Sequence, residues 1–279
     1  MRRLMGGISS SVHAVSLAHL DGRSSTVVLR RWVGDWIESE PAMAQDFILA
    51  EQRALEAAER AGVPAPRCIA ADPTGADTGG PASLLMTKVP GRVDLAPRDV
   101  ELWLRAQAEL LPHIHDIDAD VPRSNLKPDF SEWSAPASGR PNVWNAALAA
   151  VRSPAPVAPP VFRHGDFQHF NMLWSRNVLT GVVDWTFPRI GSADLDVGHC
   201  HLNLAVLYSA ERAEQFRTLY EAIAGRHVDP WWNLVALLRY SDGWQTFIPV
   251  QVNGQIPVDT KSMTSRVEDL VVVTLRRLG

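Results

Sequence analysis

"HGDFQHFNMLWSRNVLTGVVDW", residues 164–185, decides how this chain is read. Residues 164–171 place two histidines, an aspartate and an asparagine among large apolar side chains. Two apolar, β-type runs follow, Asn171–Trp174 and Val178–Asp184, with Ser175-Arg176-Asn177 between them as a turn. Runs of this kind around a short polar break form an antiparallel hairpin. Centred near Asn177, that hairpin sets Asn171 opposite Asp184 at its open end. An amide oxygen and a carboxylate converging there are hard ligands, suited to a magnesium ion that also holds phosphate oxygens. Asp166 lies on the loop entering the hairpin, where it can accept the proton of an attacking hydroxyl without being spent on the metal. His164 is expected to brace that loop by hydrogen bonds.

The chain upstream is β-rich. "SVHAVSLAHL" and "STVVLRRWV" are strand-type runs joined through Asp21-Gly22, and a small-residue loop from Gly6 to Ser11 precedes them. Phe47, Ala50, Ala54, Leu55 and Ala58 then recur at helical spacing, with Gly62 and Pro64 ending the pattern. A short buried strand over Ser83–Met86 runs into the Pro90-Gly91 turn. From Asp99, which is placed to cap a helix, helices dominate, and Pro112 should kink or end the first near His113. Residues 121–160, rich in Pro, Ser and Ala, read as a surface excursion with one short helix near Val143–Val151. A helix marked by Phe216, Leu219, Tyr220 and Ile223 should stop at Gly225, and Val267 to Leu278 mark a last one. The organisation is α+β: residues 1–88 form a β-rich part and 89–279 a larger α-helical part.

The totals exclude several classes. A net charge of −4 over 279 residues gives no polycationic surface for general nucleic-acid binding. Two cysteines, Cys68 and Cys200, far apart, read as reduced thiols of an intracellular chain. No apolar run approaches the ~20 residues that a membrane span needs, so a cytoplasmic protein with small-molecule partners is expected.

Together these segments resemble the aminoglycoside phosphotransferase and choline kinase superfamily, small-molecule relatives of the protein kinases. "HGD" at 164–166, Asn171 and "VVDW" at 182–185 look like its Brenner-type motif, and "GSADLDVGH" looks like its following acidic segment, with Asp196 on the aspartate. "GGISSSV" resembles the nucleotide loop, "VVLRRW" the third strand and "LLMTKVPG" the hinge. The resemblance implies a bilobal protein-kinase-like fold that binds ATP or GTP with Mg2+ and phosphorylates a hydroxyl of an antibiotic or metabolite. It implies Asp166 as catalytic base and Asn171 and Asp184 as metal ligands. Arg30 would contact phosphates, oriented by Glu51. Gly7, Ser9, Ser10 and Ser11 of the loop, with Met86, Thr87 and Val89 of the hinge, complete the implied nucleotide site.

Two other readings compete. A metal-dependent hydrolase would use His164, Asp166 and His169, but it leaves Asn171, the glycine loop and Glu51 without roles. A non-catalytic nucleotide-binding module is the other, since folds outlive activities. His199 and His201 read as packing or surface residues, and Trp231, Trp232 and Trp244 as core. Between Cys200 and Gly279, acidic and basic residues balance. That balance favours an acceptor less cationic than an aminoglycoside, such as a macrolide, nucleoside or metabolite alcohol.

Overall fold

The structure, a computed structural model, describes residues 1–4, 10–33, 40–124 and 129–278. Its first part is an antiparallel sheet in the order β1-β2-β3-β5-β4, from β1 (Arg2–Arg3), β2 (Ser11–Ala18), β3 (Ser24–Arg31), β4 (Cys68–Asp72) and β5 (Ser83–Thr87). Gly22, at φ +80°, turns the β2–β3 hairpin in the left-handed region, as the Asp-Gly pair predicts. Helix α1 (Pro41–Arg60) carries a buried stripe of small residues, Ala44, Ala50, Ala54, Ala57 and Ala58, which lets it lie close against β4 and β5.

Helices make up most of the rest. They are α2 (Val100–His115), α3 (Pro141–Val151), α4 (Asp194–Leu207), α5 (Ala210–Ala224), α6 (Pro230–Leu237), α7 (Trp244–Val252) and α8 (Met263–Arg276). Asp99 caps α2 by accepting from the Leu102 N–H, as expected. The helix does not stop at Pro112 but runs on to His115, because its apolar face of Leu104, Ala108, Leu111 and Ile114 stays buried past the proline. Gly225 ends α5 in the left-handed conformation, also as expected. Residues 129–159 are more than a surface excursion. Trp144 on α3 is fully buried, and Trp133 Nε1 donates to the Leu238 carbonyl at 2.7 Å. Trp231 and Trp232 are core, as read; Trp244 is half-buried beside Tyr240 and Phe247.

Two small β units lie between these parts: β6 (Pro160–Arg163) pairs with β9 (Arg189–Ser192), and β7 (Met172–Ser175) with β8 (Val178–Val182). Both strands of the β7–β8 hairpin are clamped to the N-terminal half. Arg92 and Trp174 exchange two backbone hydrogen bonds, and Val182 N donates to the Pro64 carbonyl at 2.8 Å. A Cβ on Gly91 would stand 2.6 Å from the Trp174 carbonyl oxygen, so only glycine lets the connecting segment approach β7 so closely. The expected α+β organisation is present, and the hairpin read from the sequence lies where the sheet and the helices meet.

Candidate active site

The hairpin turns through Arg176 and Asn177, both at positive φ, which matches the right-handed twist of its strands. Its register differs from the expected one. Val183 N donates to the Asn171 carbonyl, so Asn171 faces Val183, and Asp184 lies one residue beyond the ladder. The cause is the two-residue turn, which alone would set Asn171 opposite Val182; a bulge that leaves Thr180 unpaired between Leu179 and Gly181 returns one residue of the offset. Asp184 itself adopts φ +67°, left-handed backbone that costs ~1–3 kcal/mol in a non-glycine residue. That strain is held at a carboxylate that lines a cavity.

The Asp166 carboxylate collects three donors. Gln168 Nε2 and His199 Nε2 each reach Oδ1 at 2.7 Å, and Asn171 Nδ2 reaches Oδ2 at 2.8 Å. Asn171 Nδ2 also donates to the Asp166 carbonyl, so its amide hydrogens point to the loop. Its amide oxygen is left as the atom able to meet a cation. The loop is fixed from below by Asp196, which accepts from the backbone N–H groups of His164 and Gly165 at 2.8 and 3.1 Å. Burial alone would raise the Asp196 pKa, but Arg163 and His115 hold it well below the usual carboxylate range. Gly165 sits at φ +83°, and a Cβ there would fall 1.9 Å from the Phe187 carbonyl oxygen. His164 braces the loop as expected: it is fully buried, packs on Trp185 and accepts from the Asp166 N–H.

Arg30 is buried behind Asp184. Its Nη1 lies 2.7 Å from Asp184 Oδ1 and also bonds the Thr186 hydroxyl, whereas its Nε stands 3.6 Å from Glu51 Oε2. The expected Arg30–Glu51 pair is present but loose, and Asp184 is the closer partner. Burial raises the Asp184 pKa, yet Arg30 and Thr186 more than offset it and keep the group ionised. Burial dominates for Glu51, whose pKa is pushed up to about 7 despite Arg30.

Arg30, Met86, Thr87, Val89, Asn171 and Asp184 all line one cavity of about 410 Å³ between the sheet and the helical part. Glu51 stands behind Arg30 rather than in that wall. Ser10 is buried and Ser11 begins β2; neither lines the cavity, whose wall there is Val12. Gly7 and Ser9 lie outside the described residues. Arg2 of β1 and Gln251, Asn253 and Gln255, at and beyond the end of α7, also line it and were not singled out in the sequence.

The hydrolase reading fails on His169. That ring is fully buried between Trp103, Phe170 and Tyr208, and burial depresses its pKa to about 3. Among the described residues no group of three or more His, Cys, Asp or Glu is placed to hold a metal.

His199 is the residue that sequence reasoning placed wrongly. It is the one residue of α4 that is not buried, and it contacts Asp166. A carboxylate accepts, so His199 Nε2 carries the proton; Asn203 Nδ2 lies 3.2 Å from that nitrogen and donates to the His199 carbonyl at 2.9 Å. A signal was available: Asp196, His199 and Asn203 share one face of an otherwise apolar helix. His201 points elsewhere, to Asn233 and Glu214, and is buried.

Between Cys200 and Gly279 the acidic side chains are occupied. Glu214 and Glu221 pair with Arg217, and Asp259 and Asp269 with Arg266 and Arg140. Asp229 caps α6, Asp242 accepts from Ala137 N, and Glu268 accepts from Trp144 Nε1. Glu211 alone has no such commitment among the described residues.

The model of the phosphotransferase enzyme family matches residues 2–232. No curated protein matches the sequence. Several solved structures share the fold across nearly the whole chain. The amicoumacin kinase hAmiN, solved with AMP-PNP, Ca2+ and Ami, is 14 % identical with TM-score 0.58, the match covering 100 % of this chain and 92 % of that one. The GDP and kanamycin complex of APH(2")-IIIa is 16 % identical with TM-score 0.61, covering 99 % and 93 %. A thermostable variant of aminoglycoside phosphotransferase APH(4)-Ia, solved with AMP-PNP and hygromycin B, is 14 % identical with TM-score 0.61, covering 98 % and 92 %. With its two-part α+β architecture, the protein-kinase-like fold of those neighbours and a family match over most of its length, this chain belongs to the phosphotransferase enzyme family.

Proposed function

We propose that this protein transfers the γ-phosphoryl group of ATP or GTP to a hydroxyl of a small molecule, an antibiotic or a metabolite. One observation carries the reading. Asp166 is bonded to Asn171, and Asn171 and Asp184 line the same cavity as the hinge residues Met86, Thr87 and Val89. Nucleotides named in the neighbouring structures, AMP-PNP and GDP, support a nucleotide donor in that cavity. The lobe that binds it would be residues 1–88 and the catalytic lobe 89–279.

The donor set fits magnesium. The Asn171 amide oxygen and the ionised Asp184 carboxylate are hard oxygen donors at one cavity edge. When bound, the ion neutralises charge on the transferring phosphate. Asp166 orients the acceptor hydroxyl and accepts its proton, its own carboxylate fixed by Gln168, Asn171 and His199. Arg30 exchanges part of its contact with Asp184 for the nucleotide phosphates, and Glu51 keeps the guanidinium in place behind them.

Calorimetric titration with ATP and GTP, each with and without magnesium, tests the reading. Magnesium-dependent binding of one nucleotide is expected, weakened at least ten-fold, about 1.4 kcal/mol, by Asp184→Asn. Absence of binding to both nucleotides by the folded protein would sink the proposal. Unchanged affinity in Asp184→Asn would remove Asp184 from the ligand set.

A further inference from the structure

We infer that the turn at the end of α7 holds the ribose of the donor nucleotide, whose hydroxyl groups are read by the side-chain amides of Gln251, Asn253 and Gln255. The inference rests on the phosphotransferase reading above and assigns residues to a part of the nucleotide that the hinge and the metal ligands leave unclaimed.

Strand register orders the cavity. Val28 lies opposite Met86 and Arg30 opposite Leu84, so Met86 and Arg30 share the face that lines the cavity, two residues or about 7 Å apart along β3. The hinge that follows Met86 takes the base, and Arg30 with Asp184 takes the phosphates. The ribose joins the two and crosses the gap between them.

Neither end offers the sugar a matched partner. A ribose hydroxyl both donates and accepts, and an amide side chain can answer in both senses. Arg2, Lys88 and Arg92, which also line the cavity, only donate. Asp184 only accepts, and Arg30 already holds it. Gln251, Asn253 and Gln255 line the same cavity and carry both kinds of group without charge.

The turn that presents them is fixed. Val252 is fully buried, Asn253 N donates to the Pro249 carbonyl and Gln255 N to the Val252 carbonyl, both at 3.1 Å. Asn253 sits at φ +50°, left-handed backbone that asparagine tolerates better than most residues. Gln251 shows that an occupant is missing from its hydrogen bonding: its Oε1 is buried and, among the described residues, accepts no hydrogen bond. A buried acceptor without a donor is unfavourable, and a hydroxyl reaching it from the cavity removes the deficit.

The occupant is the donor rather than the acceptor. Asp166 is not among the described residues that line this cavity, although Asn171, which does, bonds its carboxylate. The acceptor hydroxyl has to be offered to Asp166, so it approaches from outside this wall, and the amides are left to the nucleotide.

The test is calorimetric titration of the full chain, in magnesium, with ATP and GTP and with the 2′-deoxy and 3′-deoxy forms of each. Wild-type protein should bind at least one deoxy form of its nucleotide about ten-fold more weakly than the parent. Gln251→Met keeps the length of the side chain without its amide. It should bind the parent as weakly as wild-type protein binds that deoxy form, and should no longer separate the two. Should Gln251→Met fail to fold, Asn253→Gly combined with Gln255→Met, which preserves the left-handed turn, is measured instead and should narrow the difference at least about three-fold. Equal binding of the parent and both deoxy forms by wild-type protein, or a preference that neither substitution reduces, overturns the inference and leaves the phosphotransferase reading standing. No binding of ATP or GTP by the folded protein overturns that reading and the inference with it, so the two failures are distinct.

Discussion

The carboxylates of Asp166 and Asp184 flank one hairpin, yet they are held by different means. Asp166 is fixed by hydrogen-bond donors on three sides, from Gln168, Asn171 and His199. Asp184 is gripped by a buried guanidinium on strained, left-handed backbone. A carboxylate oriented by side-chain donors from its own loop, the hairpin and α4 keeps its direction while its surroundings change, which suits a group that must receive a proton from a positioned hydroxyl. A carboxylate already paired with a cation is prepared to trade that cation for another, which suits a group that meets magnesium and phosphate together.

Breaking the first arrangement should have the largest effect. Asp166→Asn keeps the shape and the contact with His199 Nε2 through its amide oxygen, but it cannot accept a proton. Turnover should fall by ~10³-fold, within the range for a lost general base, with nucleotide affinity unchanged within a few-fold. Single-turnover kinetics alongside calorimetry would check it. Retained turnover would mean that the two carboxylates do not divide the work in this way.

The second arrangement is sharpened through Glu51, the other acid facing Arg30. Its pKa is pushed up from an ordinary 4.5 to about 7 by burial. The folded protein therefore holds a proton on Glu51 in a range where the unfolded chain has lost it. Stability from this group is fully present below the unfolded value and declines as the pH rises through about 7. Between pH 5 and 8 the decline should reach up to ~2 kcal/mol, less whatever Arg30 recovers by moving toward the new charge. Glu51→Gln should flatten that slope in urea titrations run at several pH values. An unchanged slope would show that Arg30 already neutralises Glu51 as fully as it does Asp184.

Much of this was legible in the chain itself, for identifiable reasons. The hairpin, its polar open end and the Asp99, Gly22 and Gly225 boundaries are local: strand alternation, capping and left-handed turns are decided by residues a few positions apart. The hairpin register was misjudged because the turn closes through Arg176 and Asn177, ahead of the expected centre; the bulge at Thr180, whose hydroxyl is held by the Pro90 and Leu173 carbonyls, returns one residue of that offset. Pairing across long separations was also hidden. The stripe Asp196, His199 and Asn203 was visible, but not that α4 would run beneath the Asp166 loop.

His199 is where the contrast between the carboxylates is most finely drawn. Among the described residues its Nε2–H is the only donor to Asp166 from outside residues 164–185, so it ties the loop to the central helix. Its Nδ1 is buried without a partner, which is a cost that packing alone would not favour at this position. If the ring serves to aim Asp166, His199→Leu should lower kcat about ten-fold, about 1.4 kcal/mol, and leave KM for the nucleotide within two-fold. His199→Gln restores a donor and should recover most of that loss. A purely structural role predicts a different outcome: equal losses in both variants, tracking a fall in Tm. Asn203 sharpens the point. Its amide bonds the His199 carbonyl and stands 3.2 Å from His199 Nε2, so Asn203→Leu should loosen the ring and lower kcat, but by less than His199→Leu, because the donor to Asp166 itself is kept.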